Sequence, residues 1–212
     1  MTVPAYNNDG ILPPFLGPSP AHASGLMSPY KVTVSDIVDR FATSRERITI
    51  LRGWLQHRAG LRALGYDRGF QWLDGSFVED KEPKDLDVVT FITFGQPSFA
   101  DADAAWVSFG SNQHLFDRGA VKAGFRLDAF FIDLLDPPEL VVDAARYFLG
   151  LFSHQRITMV WKGMLQVRLE AADDEAAALV ELESRELALP SLPPEMPINL
   201  QLFETGGPAD AS

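Results

Sequence analysis

Leu73-Asp-Gly-Ser-Phe-Val-Glu-Asp-Lys-Glu-Pro-Lys-Asp-Leu-Asp-Val-Val-Thr-Phe91 joins a turn-like Gly-Ser to a strand through a charged, Pro-containing segment. Its end runs into Leu86 to Phe94, rich in Val, Thr, Ile and Phe, which predicts a strand buried on both faces. Asp85 and Asp87 stand two apart at the mouth of that strand, and a period of two puts both carboxylates on one face. Carboxylates held that close raise each other's pKa unless a cation neutralises them. Oxygen ligands of this kind suit Mg²⁺ or Mn²⁺. The competing reading is a solvated turn ahead of a strand.

Working outward, Phe70 to Asp74 is a short β-prone run that ends in the turn-like Gly75-Ser76. Glycine lets backbone N–H groups approach a phosphate, and serine adds a hydroxyl donor. Downstream, Phe125 to Leu135 reads as a second buried strand with Asp128 inside it. An unpaired buried charge is costly, so Asp128 needs a reason. Pairing the two strands would unite Asp85, Asp87 and Asp128, enough to hold two cations about 3.5–4 Å apart for an in-line phosphoryl displacement. The lesser alternative makes Asp128 the buried partner of Arg126 or another base. Asp133 has the opposite parity and is left out of the site, while Asp74 is either a supporting group or a turn residue.

The rest of the chain supplies helices and further strands. Thr33-Val-Ser-Asp36 and Thr43-Ser-Arg-Glu46 both fit a capping box. Ile48, Leu51, Trp54 and Leu55 then recur at helical spacing toward Gly60. A helix is expected within 97–115. Asp136-Pro-Pro predicts another helix to about Leu151, with Asp as N-cap and Pro in the first turn. Ile157 to Leu169 reads as a strand that carries Lys162, and 171–187 as a helix. This order predicts an α+β (mixed α/β) fold: a mixed β-sheet flanked by helices. The expected divisions are an irregular Pro-rich arm over 1–31, a domain over 32–188 and a loose tail over 189–212.

Composition narrows the chemistry. The 212 residues are 46% hydrophobic and 22% charged, ordinary for a chain with a sizeable core. The absence of cysteine removes disulfides, thiolate catalysis and Cys-ligated zinc. No basic region precedes an apolar core at the N-terminus, and no apolar run approaches the roughly 20 residues that span a bilayer, so a cytoplasmic protein without membrane association is expected. A net charge of −11 argues against long nucleic acid as partner. Arg45, Arg47, Arg52, His57, Arg58 and Arg62 form the one candidate basic patch, more simply read as the solvated face of a helix. Lys81, Lys84 and Lys162 are candidate phosphate contacts, Lys162 the stronger because apolar residues flank it. The four histidines have no metal-ligand spacing.

Gly75-Ser76, the spacer Phe77 to Lys84, Asp85-Leu86-Asp87 and the later Asp128 together resemble the signature of the DNA polymerase beta-like nucleotidyltransferase superfamily. The wider wording around Leu73 to Val89, with Trp161-Lys162-Gly163, looks like a group of small bacterial proteins within it. The resemblance covers about residues 35 to 170. It implies a nucleotidyltransferase-like fold in which Asp85 and Asp87 bind both Mg²⁺ (or Mn²⁺) ions, and Asp128 completes one site and helps activate an attacking hydroxyl. It also implies that Gly75 and Ser76 hold the β- and γ-phosphates of a nucleoside triphosphate (NTP). A nucleoside monophosphate would then pass to a hydroxyl acceptor with loss of pyrophosphate. One rival is an inactive module of that fold that works by binding a protein partner, as an antitoxin or antiviral-defence component. An Asp-x-Asp glycosyltransferase ranks below it, for want of room ahead of Asp85 for a nucleotide-sugar domain.

Overall fold

The computed structural model describes residues 2–20, 26–94, 101–170 and 172–190. The elements are β1 (Tyr30–Lys31), α1 (Val34–Phe41), α2 (Arg45–Ala63), β2 (Gly69–Asp74), β3 (Leu86–Ile92), α3 (Ala102–Ser111), α4 (Arg118–Phe125), β4 (Leu127–Asp133), α5 (Pro138–Phe152), β5 (Leu165–Arg168) and α6 (Ala172–Ala188). The strands form one mixed sheet in the order β1-β5-β2-β3-β4. The fold is α+β, with helices on both faces of the sheet.

Strand parity decides which side chains meet which helices. Leu73, Val88 and Ala129 face α1, α2 and α6 in the larger core, with Trp54, Ile37 and Leu182. Trp72, Val89, Phe91 and Ile132 face the other way, against Phe148 and Phe152 of α5. Asp74, Asp87 and Asp128 share the parity of this second set. β3 is an interior strand between β2 and β4 and almost wholly buried, as its composition predicts. β4 is the sheet edge and only half-buried, which corrects the expectation of a second fully buried strand.

Other expectations are met or corrected locally. Thr33 and Asp36 form the capping box of α1. The box expected at Thr43 is absent: α2 is capped by Ser44, whose N3 residue is Arg47, and Glu46 pairs with Arg126. Asp136 does not cap α5; Pro137 takes that place and its fixed φ starts the helix. The strand expected over Ile157 to Leu169 is confined to Leu165–Arg168. The residues before it form a turn closed by a His154–Trp161 bridge, with Met159 at φ 57°. Of the helix expected within 97–115, residues 95–100 lie outside the described residues, as do 191–212 of the expected tail.

Arg47, His57 and Arg58 are buried, which overturns the reading of a solvated basic face on α2. Each is consumed internally. Arg58 Nε donates to Glu175 of α6 at 2.6 Å and its Nη1 to Gln71 of β2 at 2.8 Å. Arg47 donates to the carbonyls of Phe77, Glu79 and Lys81 at 2.7–2.8 Å, so α2 clamps the loop between β2 and β3. The N-terminal segment braces the same loop: Asp80 N–H donates to the Gly10 carbonyl at 2.7 Å, and Ile11 and Leu12 are fully buried. Among the described residues no helix is long and apolar enough to cross a membrane.

Helix α4 reaches the site because α2 lets it come close. A Cβ added at Gly53 would fall 2.2 Å from the Phe125 carbonyl oxygen, so only glycine permits this crossing. Gly53→Ala is therefore expected to lower unfolding free energy by about 1–3 kcal/mol, the usual cost of overpacking. Chemical denaturation checks this, and an unchanged midpoint would show that the two helices are not locked together there.

Candidate active site

The register of the sheet puts three aspartates at one level. Asp74 of β2 lies opposite Asp87 of β3, and Asp87 lies opposite Asp128 of β4. Asp85, one residue before β3, lines the same cleft of about 830 Å³, which Gly75, Ser76 and Lys162 also line. Gly75, Ser76, Asp85, Asp87, Asp128 and Lys162, the core of the site expected from the sequence, therefore meet in one place; of the two further candidate lysines, Lys81 lines the cleft and Lys84 does not.

Gly75 is the tightest fit. Its φ is +76°, and a Cβ there would stand 1.8 Å from Asp87 Oδ2. The residue after β2 must be glycine both for the left-handed turn and because Asp87 occupies the space a side chain would need. Gly75–Val78 then form one 3₁₀ turn, with Phe77 and Val78 buried beneath it.

The carboxylates differ in charge state. Burial, with Asp85 and Asp128 adding like charge, pushes the Asp87 carboxyl up to about 6. Asp128 is held below the ordinary range by hydrogen bonds from Arg118, whose Nε and Nη2 grip both its oxygens. Lys122 Nζ lies 2.7 Å from Asp85 Oδ2 and 4.0 Å from Asp128 Oδ2. Arg118 and Lys122 stand one turn apart on α4. Neither was singled out from the sequence, although an i, i+4 basic pair on a helix leading into the Asp128 strand was a legible signal.

The donor set fits a hard divalent cation. Asp85, Asp87 and Asp128 offer only oxygen ligands, and Asp87 gains most from added positive charge. Among the described residues no three His, Asp or Glu groups already stand at metal-ligand spacing. Two of the three carboxylates are engaged by Arg118 and Lys122, both more than half exposed and free to swing away.

Lys162 has a different part from the phosphate contact expected of it. It is buried, and its Nζ lies 3.0 Å from Glu79 Oε1, 3.1 Å from the Gly75 carbonyl and 3.2 Å from Asp74 Oδ2. Three oxygens occupy the three donors of one ammonium. Lys162 thus ties the end of β2 and the loop after it to the segment before β5. Burial raises Glu79, but Lys81 at 2.5 Å and Lys162 outweigh this and leave it below its ordinary value. For Asp74 burial wins over Lys162 and pushes the carboxyl up to about 8. Among the described residues Asp74 Oδ1 has no hydrogen-bond partner.

Two outcomes follow. Lys162→Met strips the buried Glu79 carboxylate of one of its two cations and unties the Gly75 carbonyl, and should cost about 3–5 kcal/mol in denaturant unfolding; a lysine that only met phosphate would leave metal-free stability unchanged. Asp74 keeps its proton in the folded protein up to about pH 8, whereas the unfolded carboxyl titrates near 3.8. Its contribution is therefore full below about pH 4 and is lost as pH rises through 8. In EDTA, Asp74→Asn should become progressively more stable relative to the parent between those limits, and parallel pH profiles would contradict the raised value.

No curated protein and no solved structure matches the chain. The model of a family of unknown function, DUF6932, matches residues 4–168, a span that takes in the N-terminal brace, all five strands and every residue of the cleft floor. By that match, over most of its length, the chain belongs to the DUF6932 family.

Proposed function

We propose that the protein is a metal-dependent nucleotidyltransferase that moves a nucleoside monophosphate from an NTP to a hydroxyl acceptor and releases pyrophosphate. The observation that carries this reading is the direct opposition of Asp87 and Asp128 across β3 and β4, with Asp85 and Gly75-Ser76 in the same cleft. It has the order and kind of the polymerase beta-like signature.

Asp85, Asp87 and Asp128 would hold the Mg²⁺ ions. When bound, these supply the positive charge that offsets the triphosphate and the developing charge on the leaving group. The backbone N–H groups and hydroxyl of the Gly75-Ser76 turn would take the terminal phosphates. Arg118 and Lys122, released from Asp128 and Asp85, would lie along the same phosphates, point charges beside an anionic ligand. Asp128, at the edge strand and open to the cleft, would help activate the attacking hydroxyl. Lys162 and Arg47 would act from behind by fixing the turn. A cytoplasmic setting belongs to this reading, since triphosphates and Mg²⁺ are solutes there.

A second reading has one observation in its favour: Arg118 and Lys122 already neutralise Asp128 and Asp85, so the site is stable in charge without metal. The protein would then bind a protein partner without turnover.

NTPs labelled at the α-phosphate, incubated with Mg²⁺ or Mn²⁺ and pools of protein, RNA and small-molecule acceptors, separate the two. Label transfer with matching pyrophosphate release is expected, falling by roughly a thousandfold in Asp87→Asn and Asp128→Asn. Release of orthophosphate would exclude nucleotidyl transfer. Metal-dependent NTP binding with no label in any pool would favour the partner-binding module.

A further inference from the structure

The metal and phosphate reading uses the floor of the cleft and leaves one wall unexplained. That wall consists of Tyr147 and Leu151 on α5, Phe130 on β4 and Ile157 in the turn after α5. Tyr147 is 61% exposed and Ile157 91%. Single exposed apolar residues are ordinary, but these converge on one cleft whose opposite side is ionic. The Tyr147 ring lies 5.0 Å from that of Phe148 at 81°, so its direction is set by a buried neighbour while the ring itself stays open to solvent. A ligand that touches both sides must be anionic at one end and flat and apolar at the other.

The polar groups beside this wall are already committed to each other. The Gln155 side-chain amide donates to Glu79 Oε2 at 3.4 Å, and its carbonyl accepts from the Thr158 hydroxyl. Thr158 Oγ1 accepts from Val160 N–H at 3.4 Å, and His154 Nδ1 is engaged with the Ser153 hydroxyl at 2.9 Å. Arg156 is exposed and, among the described residues, makes no salt bridge, while its charge reaches Asp87 and Asp128. It belongs with the ionic floor. The wall itself carries one polar group, the Tyr147 hydroxyl, and otherwise offers surface rather than a hydrogen-bond pattern; a site with so little pattern discriminates weakly between ligands of one shape.

We infer that Tyr147, Leu151 and Ile157 form a stacking wall for the base of the nucleoside triphosphate, and that it accepts adenine and guanine alike. Stacking on an aromatic ring is tolerant of base identity and grows with ring area, which favours purines over pyrimidines. The inference rests on the triphosphate reading of the cleft and adds to it the part of the donor that this chain grips outside the phosphates.

Calorimetric titration with Mg²⁺ present, using inorganic tripolyphosphate, ATP, GTP, CTP and UTP, tests the two readings separately. ATP and GTP should bind within about threefold of each other and roughly tenfold more tightly than tripolyphosphate, with CTP and UTP between. Tyr147→Ala should bring ATP and GTP down to the level of tripolyphosphate without changing tripolyphosphate itself. Tyr147→Phe, which keeps the ring, should bind as the parent does; because the side chain is exposed, both variants should fold. Equal affinity of tripolyphosphate and all four nucleotides in the parent would overturn the base wall and leave the phosphate floor standing. A preference above about a hundredfold for one nucleotide would overturn it in favour of hydrogen-bond readout. If tripolyphosphate and every nucleotide fail to bind, the triphosphate reading fails, and the wall assignment with it.

Discussion

One buried ammonium holds the end of β2, the turn after it and the approach to β5 in a single arrangement. Lys162 Nζ meets Glu79, the Gly75 carbonyl and Asp74 within 3.2 Å. Without that cation two acids would be buried against each other's neighbours, and the 3₁₀ turn at Gly75 would lose its anchor. With it, Asp74 and Asp87 can stand opposite each other on adjacent strands although burial works against the charge of both. The desolvation of these carboxylates is the standing cost of the site. The arrangement persists because Arg47 and the N-terminal segment determine the same loop independently, through carbonyls rather than through charge.

The cleft keeps its charge balanced in two ways at different depths. At the back the balance is rigid, with Lys162 and its three oxygens out of reach of solvent. At the mouth it is exchangeable, since Arg118 and Lys122 approach Asp128 and Asp85 from an exposed helix face. Long, exposed side chains are easily displaced, and exposed ion pairs hold little free energy. The mouth can therefore lose its protein cations to a ligand while the back stays in place. This division is what a site needs if its positive charge is to be replaced during function without loss of its shape.

The two faces of the sheet also divide the labour. One carries α1, α2 and α6 over the larger core, where stability resides. The other is covered chiefly by α5, and its aromatic core is small. Asp74, Asp87 and Asp128 have the parity of this thinner side, so a cleft can open between them and the C-terminal half of α5. Phe130, Tyr147 and Leu151 line it because one helix is too narrow to cover the sheet end completely.

The sequence alone determined the mixed α+β class, most of the elements and six residues that the fold brings into one cleft. The reason is local. Asp-x-Asp parity, a glycine before serine, and Val- and Ile-rich runs are properties of neighbouring residues, and neighbours are what a sequence lists. Capping and strand limits were less legible, as at Thr43, Asp136 and Ile157, because they depend on which donors remain free after packing. The burial of Arg47, His57 and Arg58 was hidden, since a basic residue reads as solvated until a carbonyl or carboxylate on another element is brought against it. Packing between distant elements sets Lys162 against Asp74 and Glu79 rather than toward phosphate, brings Arg118 and Lys122 to the cleft mouth, and makes Tyr147 part of its wall. Each of these depends on distances between elements far apart in the chain, and those distances are set by how the helices pack on the sheet.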